Sequence, residues 1–228
     1  MNERPYTVLS CAVSLDGHID DSRPERLVLS SPADLDRVDA VRSGSDAILI
    51  GAGTLRKDDP GLRVVSAERR ASRVARGLPP LPTSVVVTRS GNLGREHALW
   101  QGPQHKLVYC PAQVAPALAD RLAGLAEVVP TGPAVDVDAL LRDLRARGVG
   151  QLLVEGGQEV HTSFLTAGKA DEVHLAVAPL FVGAPTAPRF LGPGAYPSHR
   201  LRLAEARAYG DTVLLRYLVR PLPTEVTR

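Results

Sequence analysis

Residues 46–59, DAILIGAGTLRKDD, carry the strand and turn from which the rest of the chain can be placed. Residues 47–50 are an apolar run of strand length, and Gly51 and Gly53 follow directly, which predicts a buried strand ending in a tight turn before a short helix. Glycines let backbone N–H groups approach an anion, and Thr54 adds a hydroxyl donor. Asp58 follows about a helical turn later. The stretch predicts a phosphate-binding turn beside a carboxylate, although similar turns also occur in α/β domains that bind nothing there.

A second turn of the same kind lies in residues 151–167. Residues 151–154 predict a strand, Glu155 stands at its carboxyl end, Gly156 and Gly157 form the turn, and 158–167 predict a helix. Ligands of open α/β sheets bind outside the carboxyl ends of the strands. The agreement of the two turns therefore favours a nucleotide site at this edge of the sheet.

The order of the predicted elements favours an α/β fold that forms a single domain over residues 1–228. Strand and helix patterns alternate through most of the chain, which is typical of a mostly parallel sheet with helices on both faces. The last strand has no room for a crossover helix before it, so it should pair antiparallel in a mixed sheet. Residues 62–82, rich in Arg and Pro, predict a long surface excursion. Strands are predicted at 6–13, 47–50, 84–87, 107–109, 127–129, 151–154, 172–177 and 212–219, and helices at 31–44, 112–122, 136–147 and 158–167.

Composition excludes several classes of partner. The net charge is +2 and aromatic residues make up 4%, so neither a basic groove nor a base-stacking platform for nucleic acid is indicated. No apolar run approaches membrane-spanning length. Cys11 and Cys110 share no metal-ligand spacing and the six histidines suggest no site, so we expect no metal and a reduced, cytoplasmic protein.

Four stretches taken together resemble the reductase domain of bacterial riboflavin biosynthesis, which has a dihydrofolate-reductase-like fold. They are 14–17 (SLDG), 46–60, 153–157 (LVEGG) and 171–175 (DEVHL). The resemblance implies a stand-alone reductase that transfers hydride from NADPH to the ribose C1 of 5-amino-6-(5-phosphoribosylamino)uracil or its diaminopyrimidinone equivalent. It also implies a homodimer, since family members commonly form one.

The resemblance further implies which residues line the site. Those implied to contact the cofactor are Ala12, Thr54, Asp58, Gly156, Gly157, Gln158, Glu159 and Val160. Those implied to contact the substrate are Arg42, Leu62 and Glu155, and we add Ser14 on the nicotinamide side.

The chemistry of the residues agrees with this assignment. Hydride adds to an imine far more readily when its nitrogen is protonated, so a positioned carboxyl group is useful. Asp58 and Glu155 are the candidate catalytic acids; the alternatives are a turn-capping aspartate and a helix-capping glutamate. Arg89 follows a strand and is flanked by Thr88 and Ser90, and its planar guanidinium suits a 2′-phosphate. This favours NADPH over NADH. The alternative is that residues 88–90 form an ordinary surface turn.

The sequence departs from the family at several positions. A family lysine in the first strand is replaced by Ser10, and Val65 stands where family members carry an arginine after the Asp-Asp-Pro turn. That arginine is expected to bind the substrate phosphate. Arg26 or Arg63 would then supply the phosphate contact, or the substrate carries no phosphate. Two alternatives stay open: a reductase of another C=N substrate, such as a dihydrofolate, a pterin or a natural-product imine, and a nucleotide-binding module without turnover.

Overall fold

The structure, a computed structural model, describes residues 3–21, 23, 25 and 27–219. Its strands are β1 (Tyr6–Ser14), β2 (Ala47–Gly51), β3 (Thr83–Val87), β4 (Lys106–Cys110), β5 (Glu127–Pro130), β6 (Gln151–Gly156), β7 (Glu172–Ala178), β8 (Arg202–Tyr209) and β9 (Thr212–Leu218). Its helices are α1 (Pro32–Gly44), α2 (Ala52–Asp58), α3 (Ala67–Ala75), α4 (Ala115–Arg121), α5 (Val137–Ala146) and α6 (Gln158–Thr166), with a 3₁₀ turn at Ala98–Gln101.

The strands form one mixed sheet with the order β5-β4-β3-β2-β6-β1-β7-β9-β8. Every neighbouring pair from β5 to β7 is parallel, whereas β9 runs antiparallel to β7 and β8 antiparallel to β9. The predicted mostly parallel sheet with an antiparallel C-terminal strand is confirmed. The carboxyl ends of β1, β2, β3, β6 and β7 consequently meet at one edge.

The sheet is buried on both faces over most of its width, as predicted. One face packs with α5 and α6 around Leu49, Leu152 and Phe164. The other packs with α2, α4 and the 3₁₀ turn around Ile50 and Trp100. The parallel strands are nearly continuous apolar runs because both faces are covered.

Local signals set the start of α1 as the sequence predicts. The Ser31 hydroxyl accepts a hydrogen bond from the Asp34 backbone N–H at 3.2 Å, and Pro32 occupies the first helical position.

Two stretches differ from the sequence prediction. Residues 62–82 contain α3, and Arg73 on this helix is 1% exposed because its guanidinium donates to the carbonyls of Ser43 and Ser45 at the end of α1. The segment runs over the surface as predicted, since most of α3 is exposed, but its central part is a helix anchored by one buried arginine, which was not predicted. Strand β8 was missed, since its sequence, RLAEARAY, lacks a β-branched pattern and its pairing comes from the neighbouring β9.

Candidate active site

The two glycine turns lie side by side at the carboxyl edge of the sheet. Ile50 in β2 pairs with Gly156 in β6. A Cβ atom built on Gly51 would lie 3.0 Å from Cγ2 of Val160 and 3.8 Å from the Gly156 carbonyl oxygen. The turn after β2 therefore touches the first turn of α6, and a side chain at Gly51 would occupy their contact.

Thr54 links α2 to the second turn. A Cβ built on Gly157 would lie 3.2 Å from the Thr54 Oγ1 and 3.9 Å from Cδ1 of Ile19. Residues four apart on a helix share a face, so Asp58 follows Thr54 on this side of α2, one turn farther on. Ile19 was not selected from the sequence.

The start of α6 has the donors that an anion requires. Its N-cap is Gly157, and no side chain caps its first N–H groups. These N–H groups carry the positive end of the helix dipole. Gln158 and Glu159 begin the helix, and the Gln158 amide oxygen accepts from the backbone N–H of Arg189 at 2.7 Å. The carboxylate of Glu159 is exposed.

Arg42 and Glu155 meet at the same edge. Nε and Nη2 of Arg42 lie 2.7 and 2.6 Å from the two carboxylate oxygens of Glu155, and the Arg42 Nη1 donates to the Arg63 carbonyl at 3.1 Å. Burial alone would lower the pKa of Arg42, but the Glu155 carboxylate raises it above its ordinary value. The pair ties α1 to the end of β6 and to the segment after α2.

Arg89 also pairs at this edge. Its Nη2 lies 2.7 Å from Oε2 of Glu159, and both side chains are largely exposed. Thr88 is buried, and its hydroxyl accepts from the Gly91 N–H at 3.1 Å, so it holds the turn. Ser90 is exposed. The two hydroxyls therefore do not both flank the guanidinium.

Ser14 is the last residue of β1 and is buried. Its hydroxyl donates to Asp16 at 2.5 Å and accepts from the His18 N–H at 3.0 Å. The Asp16 carboxylate also accepts from the backbone N–H groups of Val182 and Gly183, and together with the Ser14 hydroxyl these donors hold its pKa well below the ordinary range. Asp16, which belongs to the SLDG motif, thus fixes the loop after β7.

The remaining candidates for cofactor or substrate contacts are dispersed. Leu62 has a φ of 44° and is 1% exposed, so its side chain packs in the core beside α2. Ala12 in β1 is partly exposed, and Arg63 is exposed. Arg26 lies outside the described residues. Among the described residues, no three metal-ligating side chains cluster, and no helix there has the length and apolar character needed to cross a membrane.

His161 lies beneath the second turn and was not selected from the sequence. Its ring is fully buried, and burial lowers its pKa to about 3. A Cβ on Gly156, whose φ is 124°, would lie 3.4 Å from the His161 Nε2. The ring centroid lies 5.1 Å from that of Phe190. A neutral imidazole therefore forms the floor of the glycine turn.

Comparison with known proteins decides the family. The sequence model of the RibD C-terminal domain matches residues 5–215. The chain belongs to this family. It is 36% identical over 187 residues to the 2,5-diamino-6-ribosylamino-4(3H)-pyrimidinone 5′-phosphate reductase of Archaeoglobus fulgidus, covering 81% of this chain and 85% of that protein. The Methanothermobacter thermautotrophicus protein of the same name is 31% identical over 95% of this chain and 99% of its own length.

Solved structures confirm the RibD reductase fold. A pyrimidine reductase-like protein from Corynebacterium diphtheriae superposes with a TM-score of 0.79 at 23% identity, covering 95% of this chain and 92% of that one. RibD of Acinetobacter baumannii has the same TM-score and identity, but this chain, 96% of which is covered, spans only 59% of that protein. The resemblance deduced from the four sequence motifs is thereby confirmed.

Proposed function

We propose that this protein is an NADPH-dependent reductase of riboflavin biosynthesis, and that its substrate is 2,5-diamino-6-ribosylamino-4(3H)-pyrimidinone 5′-phosphate. The observation that carries the proposal is the meeting of two glycine turns at the sheet edge that also bears the Arg42–Glu155 pair. The two glycine turns together form an anion-binding cradle, and the Arg42–Glu155 pair forms a charged wall next to it. This arrangement suits a phosphorylated cofactor beside a polar substrate. The names of the relatives support the pathway and the reaction.

The residues present fit the cofactor. The cradle is built from Gly51 and Gly157, at which a Cβ would crowd Val160 and Thr54 respectively. The uncapped start of α6 offers N–H donors for a diphosphate, and Thr54 offers a hydroxyl. When bound, NADPH would supply the hydride. Contacts from Ala12, Asp58, Thr88, Arg89, Ser90, Gly156, Gln158, Glu159 and Val160 remain part of the proposal.

We assign different roles to the carboxyl groups of Asp58 and Glu155. In the substrate's open-chain imine, hydride adds to ribose C1 while the nitrogen of the same C=N bond takes a proton, which gives a ribitylamine. We assign that proton to Asp58, which follows Thr54 on the cradle side of α2. Both oxygens of Glu155 accept from Arg42, so in this arrangement the pair orients the substrate's polar groups while Asp58 donates.

The substrate phosphate has one candidate partner among the described arginines near this wall. The backbone carbonyl of Arg63 is held by Arg42, and its side chain is exposed and folds over Gly61. We assign the phosphate contact to Arg63; Arg26 and Arg42 are the other candidates from the sequence. Ser14 and Leu62 would contact the substrate only through the backbone, because their side chains are buried.

We also propose a homodimer in the cytoplasm. The two cysteines are free thiols, which suits a reducing compartment. Leu203 and Val213 on the β8–β9 hairpin are 49% and 41% exposed on the same face of the sheet, beyond the cover of α6. Burial of this face by a second copy predicts a mass of twice 24.3 kDa by light scattering. Leu203→Glu should give monomers, whereas Val65→Glu, at an isolated exposed position, should not.

The direct test of function is oxidation of NADPH, followed at about 340 nm, with purified protein and the proposed substrate. The deaminated uracil analogue and both dephosphorylated compounds are run beside it. Rapid oxidation with the phosphorylated diaminopyrimidinone supports the proposal. Turnover only of the dephosphorylated compounds would remove the role of Arg63.

A second candidate is a reductase of another imine on the same site. Val65, which stands where family members carry the arginine expected to bind the substrate phosphate, favours it. NADPH binding without oxidation of any ribosylaminopyrimidine, combined with oxidation by a pterin or other imine, would select this candidate. Binding without any turnover would leave a nucleotide-binding module.

A further inference from the structure

We infer that Arg89 and Glu159 form a selector for the 2′-phosphate of the cofactor, in which the Glu159 carboxylate competes with that phosphate for the Arg89 guanidinium. The inference rests on the proposed function, because it requires a nicotinamide dinucleotide on the glycine turns. It adds an opposing residue to the site: Arg89 favours a 2′-phosphate, and Glu159 disfavours it.

The pair spans the rim of the cradle. Arg89 stands two residues beyond Val87, which pairs with Gly51 at the end of β2. Glu159 is the second residue of α6. Their contact of 2.7 Å between Nη2 and Oε2 therefore bridges from β3 to α6 across the end of β2. A dinucleotide whose diphosphate lies at the start of α6 would have its adenosine ribose within reach of this bridge.

The pair is also open to a ligand. The side chains of Arg89 and Glu159 are 73% and 75% exposed. Among the described residues, neither side chain makes another hydrogen bond, so most of the guanidinium N–H groups are free. Exposed ion pairs of this kind contribute little to stability and exchange partners readily.

The charge of the 2′-substituent determines whether the Arg89–Glu159 pair favours or disfavours a cofactor. A phosphate monoester is close to a dianion at neutral pH and binds a guanidinium at two points, more strongly than a single carboxylate contact. To bind Arg89, the phosphate must displace the Glu159 carboxylate, and the two negative charges then repel each other. A ribose with a free 2′-hydroxyl leaves the ion pair intact and can donate to Glu159. Removing the carboxylate should therefore raise the preference for the phosphorylated cofactor.

The test uses two cofactor fragments that differ only in the 2′-phosphate, 2′,5′-ADP and 5′-AMP, titrated calorimetrically into the protein. Glu159→Gln should bind 2′,5′-ADP about 3–10-fold more tightly with little change for 5′-AMP, because a like charge is removed. Arg89→Gln should weaken 2′,5′-ADP by about tenfold or more and leave 5′-AMP nearly unchanged. In the double variant, the gain from Glu159→Gln should vanish, since its effect acts through Arg89.

Two matched variants control for net charge. Glu68→Gln removes another exposed acid from the first turn of a helix, α3. Arg95→Gln removes an exposed arginine that donates to the carbonyls of Arg121 and Ala123, away from the cradle. Neither should change the ratio of the two affinities.

The outcomes separate this inference from the proposed function. Equal effects of Arg89→Gln on both cofactor fragments, or an unchanged affinity ratio in Glu159→Gln, would overturn the selector while leaving NADPH oxidation by the wild-type protein untouched. Failure of the wild-type protein to bind either cofactor fragment would overturn both.

Discussion

Arg42 and Glu155, which are 113 residues apart in the sequence, form an ion pair with two hydrogen bonds of 2.7 and 2.6 Å. Their side chains are 20% and 13% exposed, so each needs the other for its charge to stay partly buried. The pair fixes α1 against the end of β6, and with it the wall of the proposed substrate site.

Breaking this pair should cost stability. Arg42→Gln and Glu155→Gln should each lower the free energy of unfolding by about 1–3 kcal/mol, because the remaining charge loses its partner. The double variant should lose less than the sum. Urea denaturation measures both, and Glu127→Gln, which breaks a more exposed two-point pair with Arg147, should cost less than about 1 kcal/mol. Strict additivity would contradict the coupling.

Gly51 tests whether the two turns work as one cradle. Gly51→Ala places a Cβ at 3.0 Å from Cγ2 of Val160, so α6 must shift away from β2. The Kd for NADPH should rise by about tenfold, as a lost charged hydrogen bond would produce. The control is Gly53→Ala, where a Cβ meets nothing within 4 Å. Equal affinities of the two variants would show that the turns do not share a ligand.

Asp58 tests the source of the proton. Asp58→Asn should lower kcat by about 10²–10⁴-fold, the range expected for a general acid, while the Kd for NADPH stays nearly constant. Asp59→Asn is the matched neighbour: this residue caps the end of α2 at a φ of 40°, which asparagine tolerates. Its carboxylate accepts from the Ala98 N–H and lies 3.4 Å from the His97 Nδ1. An equal loss of turnover in both variants would remove Asp58 as the acid.

His161 predicts a pH dependence of stability. Burial lowers its pKa in the folded protein to about 3, whereas the unfolded chain titrates near 6.5. Below the unfolded value the unfolded state binds a proton that the folded state does not, so the protein should lose about 1.4 kcal/mol for each pH unit between 6.5 and 3. His161→Leu removes this contribution, so the free energy of unfolding of the wild type minus that of the variant should decrease as pH falls from 6.5. Parallel curves would mean that the ring is already protonated in the fold.

Features that depend on a few neighbouring residues could be predicted from the sequence. Both glycine turns, the Ser31 cap and most strands are encoded within a few residues, and the structure has them where they were expected. The buried role of Arg73 was not predictable, because it depends on carbonyls at the end of α1 that only the packed fold brings near. Strand β8 likewise depends on its pairing with β9.

In the candidate site, too, contacts between residues distant in the sequence could not be predicted. Sequence motifs singled out Glu155 and, through the resemblance, Arg42, but their mutual pairing becomes visible only in the fold. His161 is buried because it packs under Gly156. The spacing of apolar residues in α6 does not predict this burial. A histidine on the buried face of α6, four residues after the glycine pair, is the one hint that the sequence offered.

The most direct test of the central claim is the fate of the transferred hydrogen. NADPH carrying deuterium at nicotinamide C4, in each configuration, is incubated with the protein and the diaminopyrimidinone ribosylamine phosphate, and the product is examined by NMR. The account predicts one deuterium at C1 of the new ribityl chain from one configuration only. Deuterium on the pyrimidine ring, or none in any product, would contradict it.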